Sequence, residues 1–305
     1  MNQTWDVLGI GCGTVDELLY VSVYPPADAK VPVEQRERQC GGLTATALVA
    51  AARQGARCAY GGALGHDENS EFLLSALRHE GIDVSPVVRH PAAGAIYSTI
   101  IVDQTAHTRN IFFQRPLIVG PTLDSPTAEQ IRSARVLFVD HYGAEATVRA
   151  QSIARGTGIP VVADLERDNA PGFLEILAGC DHLIVSERFA AKLSGRSDSK
   201  QAAASLLSSR KNTVVVTCGA DGCWAVARGD VAPKHFRAFE TQVVDTTGCG
   251  DTFHGVYAAE LARGSDLTTR IVRASAAAAL KAQHTGAQKG IPTRQAVDEF
   301  LARVT

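Results

Sequence analysis

Residues 243–255 read V-V-D-T-T-G-C-G-D-T-F-H-G, and no other stretch of the chain concentrates as much potential chemistry. Val243 and Val244 lead to Asp245, Gly248 and Gly250 flank Cys249, and a helical pattern begins at Asp251. That order predicts a strand, a glycine-rich turn and a helix start. Such a turn leaves several backbone N–H groups aimed one way, and the helix dipole adds positive potential, so the site suits an anion such as phosphate. Asp251 then stands beside the anion. An unprotonated carboxylate there can take the proton of an attacking hydroxyl while the amides stabilise a phosphoryl group in flight, which is the division of labour of phosphoryl transfer. The plainer alternative is an acidic residue at a helix N-terminus, stabilising it by ~0.3–1 kcal/mol.

Phe253, Val256, Tyr257 and Leu261 recur at helical spacing, which predicts a helix that holds the turn from behind by packing one apolar face on a core. The string from Asp245 to Phe253, D-T-T-G-C-G-D-T-F, resembles the C-terminal signature D-T-x-G-A-G-D-x-F of the ribokinase/PfkB family of carbohydrate kinases; it departs at Cys249, where Ala is usual. The resemblance implies that Asp251 is the general base and that the amides of Gly248, Cys249 and Gly250 form the anion hole. It further implies that Asp245 and Thr247 hold a monovalent cation, potassium, behind that hole.

The chain has 305 residues, 45% hydrophobic and 20% charged, with a formal net charge of -2. Nothing basic points to nucleic acid, and no apolar run is long enough to span a membrane. Seven cysteines (12, 40, 58, 180, 218, 223, 249) lack a C-x-x-C pair, as expected of free thiols in a reducing compartment. The opening Met-Asn-Gln-Thr-Trp-Asp has no signal-peptide character, so a cytoplasmic protein is expected.

From residue 134 on, strand and helix patterns alternate, with strands at 136–140, 160–164, 182–185 and 213–217. This order predicts parallel strands joined by right-handed crossovers, with ligands gathering at the strands' carboxyl ends, where Asp140, Asp164, Ser186 and Thr217 fall. The first strand, 5–10, runs into Gly9-Ile-Gly11-Cys-Gly13, but the spacing fails the dinucleotide fingerprint: a third glycine would fall on Thr14 or Asp16. Strand patterns at 17–24, 30–39, 95–102 and 109–113 interrupt the alternation and predict a small projecting sheet. Arg109, on its polar turn, is either an anion or polar-group ligand or a solvated arginine. Residues 41 and 42, both Gly, open a helix of small side chains at 45–52 that admits a close neighbour or a ligand.

Carried across the chain, the family resemblance implies a ribokinase-like three-layer α/β/α fold over residues 1–305. Its central sheet is mostly parallel, and a β-sheet lid at about 14–40 and 94–115 covers the sugar and supports a homodimer. Gly11 and Asp16 match the motif G-x-x-x-x-D, in which the aspartate binds sugar hydroxyls, a role that suits a two-acceptor carboxylate. Gly41 and Gly42 match the hinge pair, and Thr46 stands where the family usually has a substrate-binding Asn. Thr217, Gly219 and Gly222 match the V-T-x-G-x-x-G nucleotide loop, and the alanine-rich helix at 267–283 leaves room for a flat base near His284. Where relatives carry D-x-N-x-R and N-x-x-E, this chain has Asp164-Leu-Glu166-Arg167 and Ser186-Glu187-Arg188-Phe189, departures similar to the ketohexokinase-like branch and consistent with a ketose. Magnesium is expected to enter on the ATP phosphates, mostly water-ligated. The alternatives are a nucleoside kinase of the same fold and a non-catalytic sugar or nucleotide sensor.

Overall fold

The computed structural model describes residues 3–106 and 108–304; His107, within the turn expected at 103–108, lies outside the described residues, as do Met1, Asn2 and Thr305. The first third of the chain forms β1 (Trp5–Ile10), β2 (Thr14–Val21), β3 (Gln35–Gly41), α1 (Leu43–Arg53), β4 (Cys58–Tyr60), β5 (Ala63–Leu64), α2 (Glu68–His79), β6 (Val88–Arg89), β7 (Ile96–Asp103) and β8 (Thr108–Gln114). There follow α3 (Ala128–Arg132), β9 (Ala134–Val139), α4 (Ala144–Gly156), β10 (Val161–Asp164), α5 (Phe173–Gly179), β11 (His182–Ser186), α6 (Glu187–Ser194) and α7 (Ser199–Leu206). The last third holds β12 (Thr213–Thr217), β13 (Cys223–Ala227), β14 (Lys234–Phe236), α8 (Cys249–Ala262), α9 (Leu267–Lys281) and α10 (Arg294–Val304).

Eight strands make the central sheet in the order β14-β13-β12-β11-β10-β9-β1-β4. From β12 to β4 every pairing is parallel, and β13 and β14 add an antiparallel edge. Both faces of the strands are apolar, so both must be covered. Val7, Phe138, Val162, Ile184 and Val215 pack on α1, α8 and α9. Leu8, Leu137, Ala163, Leu183 and Val214 face the opposite layer, which includes α4 to α7. The result is the three-layer α/β/α arrangement expected, with a mostly parallel central sheet.

Two expectations change at the centre of the molecule. Helix α8 is buried on every side from Thr252 to Glu260 rather than on one face. It is sandwiched between the sheet and α1, and Gly255 sets the approach: a Cβ there would lie 2.0 Å from the Ala47 carbonyl oxygen. Val243 and Val244 are not in a strand; they are 59% and 55% exposed, and the amides of Val244 and Asp245 bond to the Ala282 carbonyl at the end of α9. The turn is therefore anchored to a helix end, not to the sheet.

The separate four-stranded sheet runs β3-β2-β7-β8, with Asp16 in register between Gln39 and Ser98. Its strand β3, expected at 30–39, starts later, at Gln35. β4 joins the central sheet, and β5 pairs with β6. All seven cysteines are unpaired. No helix among the described residues is long and apolar enough to cross a membrane.

Candidate active site

Helix α8 starts at Gly248, whose φ of 79° and whose approach to the Ala287 carbonyl oxygen, 2.3 Å from where a Cβ would stand, both require glycine. Two residues on, a Cβ at Gly250 would meet nothing within 4 Å, so this backbone faces open space. The Cys249 amide donates to the Thr246 carbonyl at 3.1 Å. Of the three amides expected to form an anion hole, that of Cys249 is already engaged. Those of Gly248 and Gly250 have no carbonyl partner among the described residues.

A cavity opens on each side of this turn. One, of about 240 Å³, is lined by Thr247 and Asp251 together with Asp16, Gly41, Gly42, Ser98, His141, Glu166 and Arg167, and by Ile111 and Phe113 of β8. The other, of about 510 Å³, is lined by Thr246, Cys249 and Gly250, by Thr217, Gly219 and Gly222 of the β12–β13 connection, by Phe239 and Thr241, and by Ala278, Ala279 and Ala282 of α9. Residues 246–251 form a partition between them: Asp251 is on one side and Gly250 on the other.

Residues 13–294 match the family described as pfkB family carbohydrate kinase. The chain belongs to that family. The pfkB kinase is 24% identical to the 5-dehydro-2-deoxygluconokinase of Shouchella clausii (strain KSM-K16) over 95% of this chain and 94% of that one. It is 26% identical to the ribokinase of Staphylococcus aureus (strain COL), with 97% and 100% covered. Among solved structures, the ribokinase of Arabidopsis thaliana complexed with ribose and ATP superposes with a TM-score of 0.86 at 21% identity, covering 99% of each chain. Members of this kind are phosphotransferases with an alcohol group as acceptor, and so is this kinase.

In the smaller cavity of the pfkB kinase the carboxylates sit in unlike settings. Asp16, on β2, accepts from Thr14 Oγ1 at 3.2 Å; burial pushes its carboxyl up, against the pull of the Ser98 and Thr14 hydrogen bonds. Asp251 is pushed well above the usual carboxylate range by burial and then by the charges of Asp164 and Glu166, with His254 opposing. Asp164 is raised well above that range by burial and by the charges of Glu166 and Asp140, with its hydrogen bond to Asp251 pulling the other way. Asp251 thus stands beside Asp164 as one of a coupled, buried pair of carboxyls. His254, one turn further along α8, points Nδ1 at the Gly250 carbonyl (2.8 Å), 3.4 Å from Asp164 Oδ2, and Nε2 at the Ile184 carbonyl (3.0 Å).

Several expected residues lie elsewhere. Thr46 is wholly buried in α1, where its hydroxyl accepts from Gln288 Nε2, and it lines neither cavity. Ser186 caps α6 by accepting from the Phe189 amide, and His284 is exposed; neither lines the larger cavity. Arg109 reaches from the small sheet to donate to Thr247 Oγ1 and does not line the smaller cavity. Asp140 is fully buried and accepts from the Cys12 amide, Thr44 Oγ1 and the Tyr142 amide, tying the end of β1 to α1 and β9.

Behind the turn, the Asp245 carboxylate accepts from the Thr247 and Gly286 amides, both at 2.9 Å. Burial raises this carboxyl, but those bonds and the Lys281 charge outweigh burial and hold it below the usual range. The fully buried Lys281 places Nζ 3.0 Å from the Asp245 carbonyl oxygen and 3.1 Å from that of His284. A potassium ion does not fit here, because its carbonyl oxygens already take an ammonium group.

Sequence reading passed over His141, His254 and Lys281. His141 is buried in the wall of the smaller cavity with neither ring nitrogen hydrogen-bonded. His254 carried a signal, being a histidine three residues after Asp251 in a helix whose next residues are mostly apolar; Lys281 carried another, closing an alanine-rich helix.

Proposed function

We propose that this kinase transfers the γ-phosphoryl group of ATP to a hydroxyl of a monosaccharide-sized polyol held in the smaller cavity. The observation that carries this reading is the partition at residues 246–251, which offers backbone amides to one cavity and a carboxylate to the other. Asp16 accepts hydroxyl hydrogens and fixes the ring, while His141 and Arg167 offer further polar contacts to it. Asp251 accepts the proton of the attacking hydroxyl; a carboxyl raised by its surroundings is a stronger base once ionised. The amides of Gly248 and Gly250 face the phosphoryl group in passage. The larger cavity suits the nucleotide: the Thr217–Gly222 loop borders phosphate and ribose, and the alanines of α9 leave a flat slot. Magnesium brought in on the phosphates neutralises their charge.

The small four-stranded sheet acts as a lid that keeps water from competing as acceptor. It also joins two copies of the chain, a reading supported by the exposed Ile111, Phe112 and Phe113 on β8 and by Val23, Tyr24, Val31 and Val33 nearby. A volume of about 240 Å³ favours one ring over a nucleoside. ADP release in the presence of ketoses, aldoses, sugar acids and nucleosides tests the reading. At least one monosaccharide is expected to support turnover; turnover with nucleosides alone, or with none of the panel, would overturn it.

A further inference from the structure

We infer that Lys281 is a built-in cation for the phosphate-facing turn, so that this kinase works without the monovalent metal ion that Asp245 and Thr247 were expected to hold. The inference rests on the kinase reading and concerns the ground on which the turn is built. Four groups around that position could offer oxygen to a monovalent ion; each already accepts a hydrogen bond, and two of them accept it from the ammonium itself. The carbonyl oxygens of Asp245 and His284 accept from Lys281 Nζ at 3.0 and 3.1 Å. Both oxygens of the Asp245 carboxylate accept backbone amides, one from Thr247 and one from Gly286. The Thr247 hydroxyl accepts from Arg109.

The lysine is placed for this task by the fold. It is the last residue of α9, whose final turns (Ala278, Ala282) also line the larger cavity, and its side chain is wholly buried. Burial lowers the pKa of this amine, with the charges of Cys249, Asp245 and Asp251 opposing, and its Nζ donates to two backbone carbonyls, the kind of oxygen that also holds a weakly hydrated cation. Its charge acts on Asp245, Cys249 and Asp251, that is, along the length of the turn. A lysine that only finished a helix would not need to reach the Asp245 carbonyl. Tethered charge also differs from a dissociable ion in one practical respect: it cannot be titrated away by changing the salt.

The experiment compares the wild-type kinase and Lys281→Ala in potassium chloride and in tetramethylammonium chloride at equal ionic strength. Two readouts are used: calorimetric binding of the non-hydrolysable nucleotide AMP-PNP with Mg2+, which needs no acceptor, and ADP release with the best acceptor. A wrong acceptor then silences only the second readout and leaves the first to decide. Wild-type binding and turnover are expected to be the same in both salts. K281A is expected to bind AMP-PNP about tenfold or more weakly in tetramethylammonium, and to regain most of the loss in potassium or ammonium, which can enter the space the side chain leaves. Potassium dependence of the wild type would overturn the inference, as would a K281A variant indifferent to both the substitution and the salt, or one that folds yet recovers in no cation. Should K281A fail to fold, the wild-type comparison decides alone.

Discussion

The two cavities that meet at residues 246–251 are made of different materials. The larger is walled mostly by backbone and by small or apolar side chains, among them Gly219, Gly222, Gly250, Ala278, Ala279 and Ala282, with the rings of Phe239 and Phe253. The smaller is walled by side chains that carry charge or hydrogen bonds, Asp16, His141, Glu166, Arg167 and Asp251, drawn from four separate parts of the chain. A surface of amides and methyl groups reads shape and phosphate, which nucleotides share, whereas a surface of carboxylates and an unpartnered imidazole reads the arrangement of hydroxyls. Acceptor specificity should therefore reside in the smaller cavity, and donor binding should tolerate change there.

The sharpest way to break this contrast is Asp251→Asn, which removes the base but keeps the shape of the wall. It is expected to lower kcat by about 10² to 10⁴, with the KM values for ATP and acceptor little changed; an unaltered kcat on a verified acceptor would take Asp251 out of the mechanism. A matched pair comes next. Ala279→Leu narrows the larger cavity at a cost of about 1–3 kcal/mol and should raise the KM for ATP alone. Asp16→Ala removes charge-assisted hydrogen bonds worth about 1.5–3 kcal/mol each and should raise the KM for the acceptor alone. If either variant moved both constants equally, the cavities would not be separate in function.

A gentler change tests the carboxyl pair. Because burial and the charges of Asp164 and Glu166 raise the Asp251 carboxyl, and because only its ionised form is a base, kcat should fall as pH drops through that raised value. Asp164→Asn takes one of those charges away, which lowers the Asp251 carboxyl and should move the acid limb of the kcat profile to lower pH. An acid limb that stays in place would show that the pairing has no bearing on the base. The smallest effect is expected from Arg109→Ala, which cuts one exposed hydrogen bond between lid and turn; the KM for the acceptor should rise about two- to tenfold, with kcat for a saturating acceptor preserved.

How far the site could be read without coordinates follows the same division. The turn at Gly248–Asp251 and the loop at Thr217–Gly222 were legible because backbone geometry demands glycine at fixed spacing, and such demands are written locally. Asp16, Gly41 and Gly42 were legible for a related reason, standing at the junction of the main sheet and the small four-stranded sheet. Thr46 came from a family position that usually carries a substrate-binding Asn, but its side chain is buried in α1 and accepts from Gln288. Ser186 and His284 followed strand-end and loop position, which fix neighbourhood but not side-chain direction; one became a helix cap and the other faces solvent. The Asp164–Asp251 pair and the buried Lys281 were illegible because each depends on residues more than thirty positions apart, Lys281 meeting Asp245 and Asp164 meeting Asp251. The layer order of the fold, by contrast, was plain in strands apolar on both faces and alternating with helices.

The central claim is that phosphoryl transfer crosses the partition from the side of Gly250 to the side of Asp251. A crystal structure of the wild-type kinase with AMP-PNP and Mg2+ measures this directly. The account predicts the base against Ala278 and Ala279, the ribose near the Thr217–Gly222 loop, and the γ-phosphate at the Gly250 amide, facing Asp251. A nucleotide seated instead in the cavity of Asp16 and Arg167, or a γ-phosphate directed away from residues 248–251, would contradict it.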